Sequence, residues 1–221
     1  MIPLYDTIRS RRFPLVNWIL ILANAAVFWY ELRIGEAALQ NLIFTWGLVP
    51  MQFLSAPQEA WLTIFTSMFL HGGWFHLLSN MWVLYIFGDN IEDRVGAVPY
   101  LLFYLLSGAA AALLQIFIAQ DSSDPMIGAS GAIAGVLGAY LISYPGARIA
   151  SLVPILFIFT IVDVPAVIFL IFWFVSQLYS GLFAIQGGSA SGIAWWAHIG
   201  GFIFGLIIVS FFGRRTTYQS Y

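Results

Sequence analysis

Between residues 97 and 119 the chain carries no charged side chain, and a run of that length limits its folding options more than any other feature. About 20 apolar residues in helical form cross the hydrocarbon of a bilayer. Comparable apolar runs cover residues 15–30, 68–88, 129–144, 165–182 and 193–212. Inside a bilayer every backbone N–H and C=O must be paired within the protein, which leaves helices or a closed barrel, and runs of this length point to helices. Over the whole chain 61% of residues are hydrophobic and 8% charged, against about 25% charged in a soluble domain. The expectation is an all-α membrane protein: one compact polytopic bundle of six transmembrane helices. It spans residues 1–221 as a single domain, with a short N-terminal segment (1–14) and a short tail (213–221).

One stretch resists that count. Residues 149–162 are also apolar and abut the fifth run, and the two together are too long for one crossing. Asp163-Val164-Pro165 reads as an N-cap with proline in the first helical turn. Residues 149–162 are then expected to form an interfacial or re-entrant piece.

Orientation follows from the arginines, since the chain has no lysine. With six spans and a cytoplasmic N-terminus, Arg9, Arg11, Arg12, Arg94, Arg148, Arg214 and Arg215 all stay inside, and Arg33 alone lies outside. Cytoplasmic loops retain positive charge, so both termini are expected in the cytoplasm. The first span lacks a small-residue cleavage site and reads as retained. The absence of cysteine excludes disulfides, thiolate nucleophiles and cysteine-ligated metals. No basic cluster exceeds a short terminal run, which leaves no nucleic-acid footprint.

Ionisable and nucleophilic groups inside apolar spans are costly and point to function. Met126-Ile127-Gly128-Ala129-Ser130-Gly131-Ala132 puts a serine between glycines at the start of the fourth run, and His198 lies about a turn into the sixth. Both runs enter from the outer side on this topology, so Ser130 and His198 share a depth. Gly201 and Gly205 follow His198 at i+3 and i+7, and Gly131, Gly135 and Gly138 stripe the fourth run. Small-residue faces of this kind let membrane helices approach closely. In the second run, His76 and Asn80 are four apart and share a helix face near the same depth. Imidazole and carboxamide N–H groups can stabilise the oxyanion of an acyl-transfer intermediate. His71 lies nearer the loop and reads as a structural hydrogen-bonding group. Polar or small residues at the outer ends (His71, Gly72, Gly73, Ser79, Ser122, Ser123) could line a water-filled cavity, and residues 180–192, rich in Gly and Ser, read as a mobile cap.

At His71–Asn80, Gly88-Asp89-Asn90-Ile91-Glu92-Asp93 (read as a turn), Gly128-Ala129-Ser130-Gly131 and Ala197-His198-Ile199-Gly200-Gly201 with Gly205, the chain resembles the rhomboid family of intramembrane serine proteases, in its prokaryotic six-helix form. The resemblance implies a serine–histidine dyad with no acidic third member, cleaving a peptide bond in or near a transmembrane segment of a membrane-protein substrate. Carried over by position, Ser130 is the nucleophile, His198 the general base and then acid, and His76 and Asn80 the oxyanion donors. Gly128, Gly131, Gly201 and Gly205 give structural support. No metal and no cofactor are implied. The partners are transmembrane substrates and the lipid bilayer. The setting is the inner (plasma) membrane of a prokaryote, with the site toward the outer side.

Two departures stand out. Many members carry a Trp-Arg pair in the loop after the first helix, whereas this loop, residues 31–61, offers Trp46-Gly47-Leu48-Val49-Pro50 with no adjacent arginine. Some members place an aromatic ring one turn after the nucleophile, against the histidine; here Ala134 stands there, and His198 must be oriented by another group, an aromatic ring or a water. Among other functions, an inactive rhomboid-like binder would lack Ser130 or His198, and a transporter would show charged pathway residues, of which Asp163 is the one acid within an apolar stretch. A metal site is disfavoured because His71 and His76, five apart, do not share a face.

Overall fold

The computed structural model describes residues 1–155, 158–185 and 193–212. The described chain is mostly helical. After a short strand β1 (Ile2–Asp6) come α1 (Leu15–Glu31) and four short helices, α2 (Glu36–Trp46), α3 (Pro50–Ser55), α4 (Pro57–Ala60) and α5 (Thr63–Thr66). The longer helices α6 (Trp74–Val95), α7 (Ala97–Ile118) and α8 (Ser130–Ser143) follow, then strands β2 (Arg148–Ile155) and β3 (Ile158–Pro165), and finally α9 (Ala166–Ile185) and α10 (Trp195–Ile208). Among these, α7 and α9 are long and apolar enough to cross a membrane, and α1, α8 and the last helix are shorter apolar helices.

Helix α8 is the hub. Every residue from Gly131 to Tyr140 is buried, and α6, α7, α9 and α10 all pack on it. A helix apolar all round must be surrounded by protein or lipid, and this one is made thin enough by its glycines to be surrounded by protein. A Cβ at Gly201 would collide with the carbonyl oxygen of Gly131, one at Gly205 with that of Gly135, and one at Gly138 with that of Phe202. Helices α8 and α10 therefore touch backbone to backbone, the small-residue contact on which helix association in membranes relies.

Glu92 ties α6 to α1. Its carboxylate accepts the backbone N–H groups of Val16 (3.0 Å) and Asn17 (2.7 Å), donors in the first turn of a helix that have no partner within it, and negative charge there is favoured by the helix dipole. Tyr100 donates its hydroxyl to the Asn17 carboxamide at 2.8 Å. Gly88 leaves room for both, because a Cβ there would strike the Asn17 side chain and the Tyr100 oxygen. The sequence Gly88–Asp93, expected as a turn, is thus the continuation of α6 to Val95.

Residues 149–155 and 158–162, expected as an interfacial or re-entrant piece, are extended: they belong to strands β2 and β3, which pair antiparallel, and β1 from the N-terminus adds a third strand in the order β1-β2-β3. The run is rich in Ile, Val and Phe, residues that suit a pleated, half-buried surface. Apolarity alone concealed this. Asp163 does not cap a helix: it pairs with Ala150 within β3, and α9 starts three residues later. The junction is closed by the Ala166 N–H, which donates to the Ala147 carbonyl at 2.9 Å.

The sheet is fastened to the bundle through β1. Trp82 Nε1 donates to the Pro3 carbonyl at 2.6 Å, and the Asp6 carboxylate accepts from Asn90 Nδ2 at 3.0 Å and from the Tyr140 hydroxyl. Tyr144 in turn donates to the Asn90 carbonyl at 2.8 Å. At the other end of the bundle, the loop without a Trp-Arg pair is held by its backbone. Leu48 is fully buried beside Ala112 and Ile116, and Leu48 and Met126 exchange two hydrogen bonds of 3.0 and 2.8 Å.

Candidate active site

Ser130 is the first residue of α8, where the leading N–H groups lack intrahelical partners. Gly128 sets the approach. Its φ of +119° suits glycine, and a Cβ there would lie 2.6 Å from Cε1 and Nε2 of His76. The Gly128 N–H donates to the Ser67 carbonyl at 2.8 Å. A glycine at this point therefore lets the chain turn into α8 while the His76 ring lies against the backbone two residues before Ser130.

His198, one turn into α10, lies with Nε2 at 2.8 Å from Ser130 Oγ. The α8–α10 contact delivers it, since Gly201 packs against Gly131. The start of α10 is braced from α7, where Gln115 Oε1 accepts the Ala197 N–H at 3.2 Å. Serine and histidine, 68 positions apart, meet because two glycine faces bring their helix axes unusually close.

His76 and Asn80 rise from the first turns of α6 and line, with Ser130 and His198, a cavity of about 720 Å³. Their hydrogen bonds assign their donors. The Gly72 N–H donates to His76 Nδ1 at 3.4 Å, so a neutral ring carries its proton on Nε2, the edge beside Gly128. His71 Nδ1 faces the Phe69 carbonyl at 3.3 Å and must donate to it, which leaves Nε2 to accept from Asn80 Nδ2 at 3.1 Å. His71 is buried, and its backbone N–H reaches the Glu31 carboxylate at 3.2 Å. It holds the loop and the Asn80 carboxamide together. Gly72 and Ser79, one small and one polar, line the cavity. Ser122 is engaged elsewhere, its hydroxyl accepting the Asp124 N–H at 3.3 Å. The cap expected over residues 180–192 divides: 180–185 are the last turns of α9, and 186–192 lie outside the described residues.

The group beyond His198 comes from α9. Gln177 Oε1 is 2.8 Å from His198 Nδ1, and the rings of Trp173 and Trp195 flank the imidazole at 6.0 and 6.1 Å between centroids. Sequence reasoning left this place to an unnamed aromatic or water. The signal was present: a carboxamide in an otherwise apolar helix needs a partner, and Gln177 is the one amide of α9.

A serine hydroxyl is a weak nucleophile until a base receives its proton, and an imidazole at hydrogen-bonding distance is the usual base. The same cavity is lined by His76 and Asn80, an imidazole and a carboxamide that carry N–H donors, and Ser130 itself opens a helix N-terminus. The arrangement is fit for acyl transfer.

A family model described as the rhomboid domain matches residues 58–215, more than two thirds of the chain. RHOMBOID-like protein 6, mitochondrial, of Arabidopsis thaliana is 41% identical over 83 residues, 38% of this chain and 26% of that protein. The Bacillus subtilis (strain 168) protein YdcA, whose name describes it as a candidate rhomboid protease, is 29% identical over 131 residues, 59% of this chain and 63% of its own length. The chain thus spans about a quarter of the Arabidopsis relative and somewhat under two thirds of YdcA. The match takes in α6, α8 and α10, the helices that bring Ser130, His198, His76 and Asn80 to one cavity, and the chain belongs to the rhomboid family of membrane proteins.

Proposed function

We propose that the chain is an intramembrane serine endopeptidase that cleaves transmembrane segments of membrane-protein substrates. The observation that carries this reading is the 2.8 Å contact between His198 Nε2 and Ser130 Oγ at the head of α8, inside the cavity that His76 and Asn80 share. The likeness to YdcA supports it.

Ser130 Oγ attacks the substrate carbonyl carbon as its proton passes to His198 Nε2. The carbonyl oxygen, now an oxyanion, receives hydrogen bonds from His76 Nε2–H, the Asn80 carboxamide and the Ser130 backbone N–H. The tetrahedral intermediate collapses, the C–N bond breaks, and His198 returns the proton to the leaving amine. Water from the cavity then gives its proton to His198 and its oxygen to the acyl carbon. A second oxyanion collapses, releasing the acid and restoring the Ser130 hydroxyl.

The whole chain acts as one domain with six crossings, counting α1, α6, α7, α8, α9 and α10. Both termini face the cytoplasm of a prokaryotic cell, and the site lies toward the outer side of the inner membrane. The sheet supports that orientation. Its β2–β3 part follows the C-terminal end of α8, the end remote from Ser130, and β2 begins at Arg148, one of the arginines assigned to the inside.

Labelling of the purified protein in detergent with a serine-directed fluorophosphonate tests the nucleophile. Wild type should be labelled and should cleave a model transmembrane substrate. Ser130→Ala and His198→Ala should each lose both while still folding, with the double variant no worse than either. Undiminished labelling of Ser130→Ala would sink the assignment.

A further inference from the structure

Resting on the Ser130–His198 reading, we infer that Gln177 is the positioning residue of this site: its carboxamide oxygen selects the imidazole tautomer that can act as a base. His198 Nδ1 lies 2.8 Å from Gln177 Oε1. A carboxamide offers an acceptor on one side and donors on the other, so the question is which way it faces. Gln177 Nε2 is 3.3 Å from the Trp173 carbonyl and 3.0 Å from Ser176 Oγ. The Trp173 carbonyl only accepts. The Ser176 hydroxyl already donates to that carbonyl at 2.6 Å, so its free capacity is as an acceptor. Both contacts require NH2 at that end. Rotating the amide by half a turn would set its oxygen against the Trp173 carbonyl and its NH2 against the ring.

With Oε1 facing the imidazole, Nδ1 carries the proton and Nε2 presents a lone pair to Ser130 Oγ, 2.8 Å away. The other tautomer would place an N–H toward the hydroxyl and could receive nothing from it. Gln177 is itself held in place: it is buried on α9, and Trp173, whose carbonyl anchors the amide, also lays its ring 6.0 Å from the imidazole at 35°. One turn of α9 thus supplies both a ring beside His198 and the acceptor behind it. Ala134, where an aromatic ring would otherwise stand, is fully buried and has no side chain to reach the imidazole. A neutral amide serves in place of an acidic third member, and it orients the base without adding a charge next to it.

The decisive variants are Gln177→Met, which keeps the bulk and loses the acceptor, and Gln177→Glu, whose neutral carboxyl can still accept from Nδ1 and donate to the Trp173 carbonyl. Turnover of a model transmembrane substrate should fall about 10- to 100-fold in kcat for Gln177→Met with KM within about 2-fold, the size of effect a misplaced catalytic group produces. Gln177→Glu should recover most of that loss. Equal kcat for Gln177→Met and wild type, or a Glu variant as slow as the Met variant, would overturn the assignment.

The second measurement does not depend on catalysis. The chain has three histidines, so 15N-histidine labelling resolves His198 by comparison with His198→Ala. In the Ser130→Ala protein, His198 should show a protonated Nδ1, and adding Gln177→Met should redistribute the proton between the two nitrogens. A protonated Nε2 in Ser130→Ala, or an Nδ1–H untouched by Gln177→Met, would also overturn it. Full cleavage by Ser130→Ala would instead remove the nucleophile assignment and leave the tautomer result standing.

Discussion

The two ends of α8 use polar side chains in opposite ways. At its C-terminal end, Asp6, Asn90, Tyr140 and Tyr144 bond to one another and to backbone, and a sheet closes over them. At its N-terminal end, Ser130, His198, His76 and Asn80 also have partners, but each presents an edge to a cavity of about 720 Å³. A buried polar group left without a partner costs stability, and at the C-terminal end every side-chain bond named is internal to the protein, with Asn90 Oδ1 left unpaired. On the proposed reading, the N-terminal end is arranged so that a further group, a substrate carbonyl, completes it. Internally bonded networks hold a fold together, whereas a site needs bonded groups with directed capacity left over.

That contrast can be broken by mutation at each end. The largest effect after loss of the dyad is expected at the oxyanion donors, where His76→Ala and Asn80→Ala should lower turnover by about 100- to 1,000-fold, the usual consequence of removing one such donor. Asn80→Ala should be the milder of the two, since His76 and a backbone N–H remain. Steady-state kinetics on a model transmembrane substrate should put the loss in kcat. A loss confined to KM would make these residues substrate contacts.

Gly201→Val is next and should affect both fold and site, because any side chain there meets the Gly131 carbonyl. A shift of about 1 Å in His198 is worth on the order of 100-fold in rate, and the melting temperature should fall with it. Unchanged melting together with unchanged activity would contradict the α8–α10 contact.

At the other end, Glu92→Ala should cost stability alone. The carboxylate accepts two first-turn N–H groups of α1, and losing a helix cap costs about 1–2 kcal/mol. Denaturation should show that loss, while the folded fraction keeps its specific activity. A fall in activity per folded molecule would show the two ends to be coupled.

The smallest expected effect is a pH dependence in β1. Burial pushes the Asp6 carboxyl up to about 7, outweighing the hydrogen bond from Tyr140. A carboxyl that binds its proton more tightly when folded lends stability that is complete below its ordinary value of 3.8 and is lost as pH rises to about 7. Amide exchange over residues 2–6, corrected for the intrinsic rate, should be less protected at pH 8 than at pH 5. Asp6→Asn should flatten the difference. Equal protection of wild type at both pH values would remove Asp6 titration from the docking of β1.

Much of the helical scaffold was legible because its signals are local. The glycines at 131, 135 and 138 and at 201 and 205 recur at helical spacing, and their meeting could be anticipated from periodicity. His76 and Asn80, four apart, had to share a face of α6. The boundaries were less secure: the helix of the second apolar run, α6, starts at Trp74 and runs on through the acidic Gly88–Asp93 segment, where Glu92 is turned inward to cap α1.

The sheet and Gln177 were illegible for a different reason. Strand β1 pairs with β2 across nearly 150 positions, Ile2 opposite Leu152, and no local pattern encodes a partner so distant. Apolar composition alone cannot separate a strand from a buried helical piece in a run the length of 149–162. Gln177 was visible as a lone amide in an apolar helix, but its partner could be identified only once α9 and α10 lay side by side. The chain's own pattern settles what repeats along it: apolar runs and glycine faces. Pairings between distant segments depend on three-dimensional packing, because a hydrogen bond is specified by where its donor and acceptor meet in space and leaves no period in the chain.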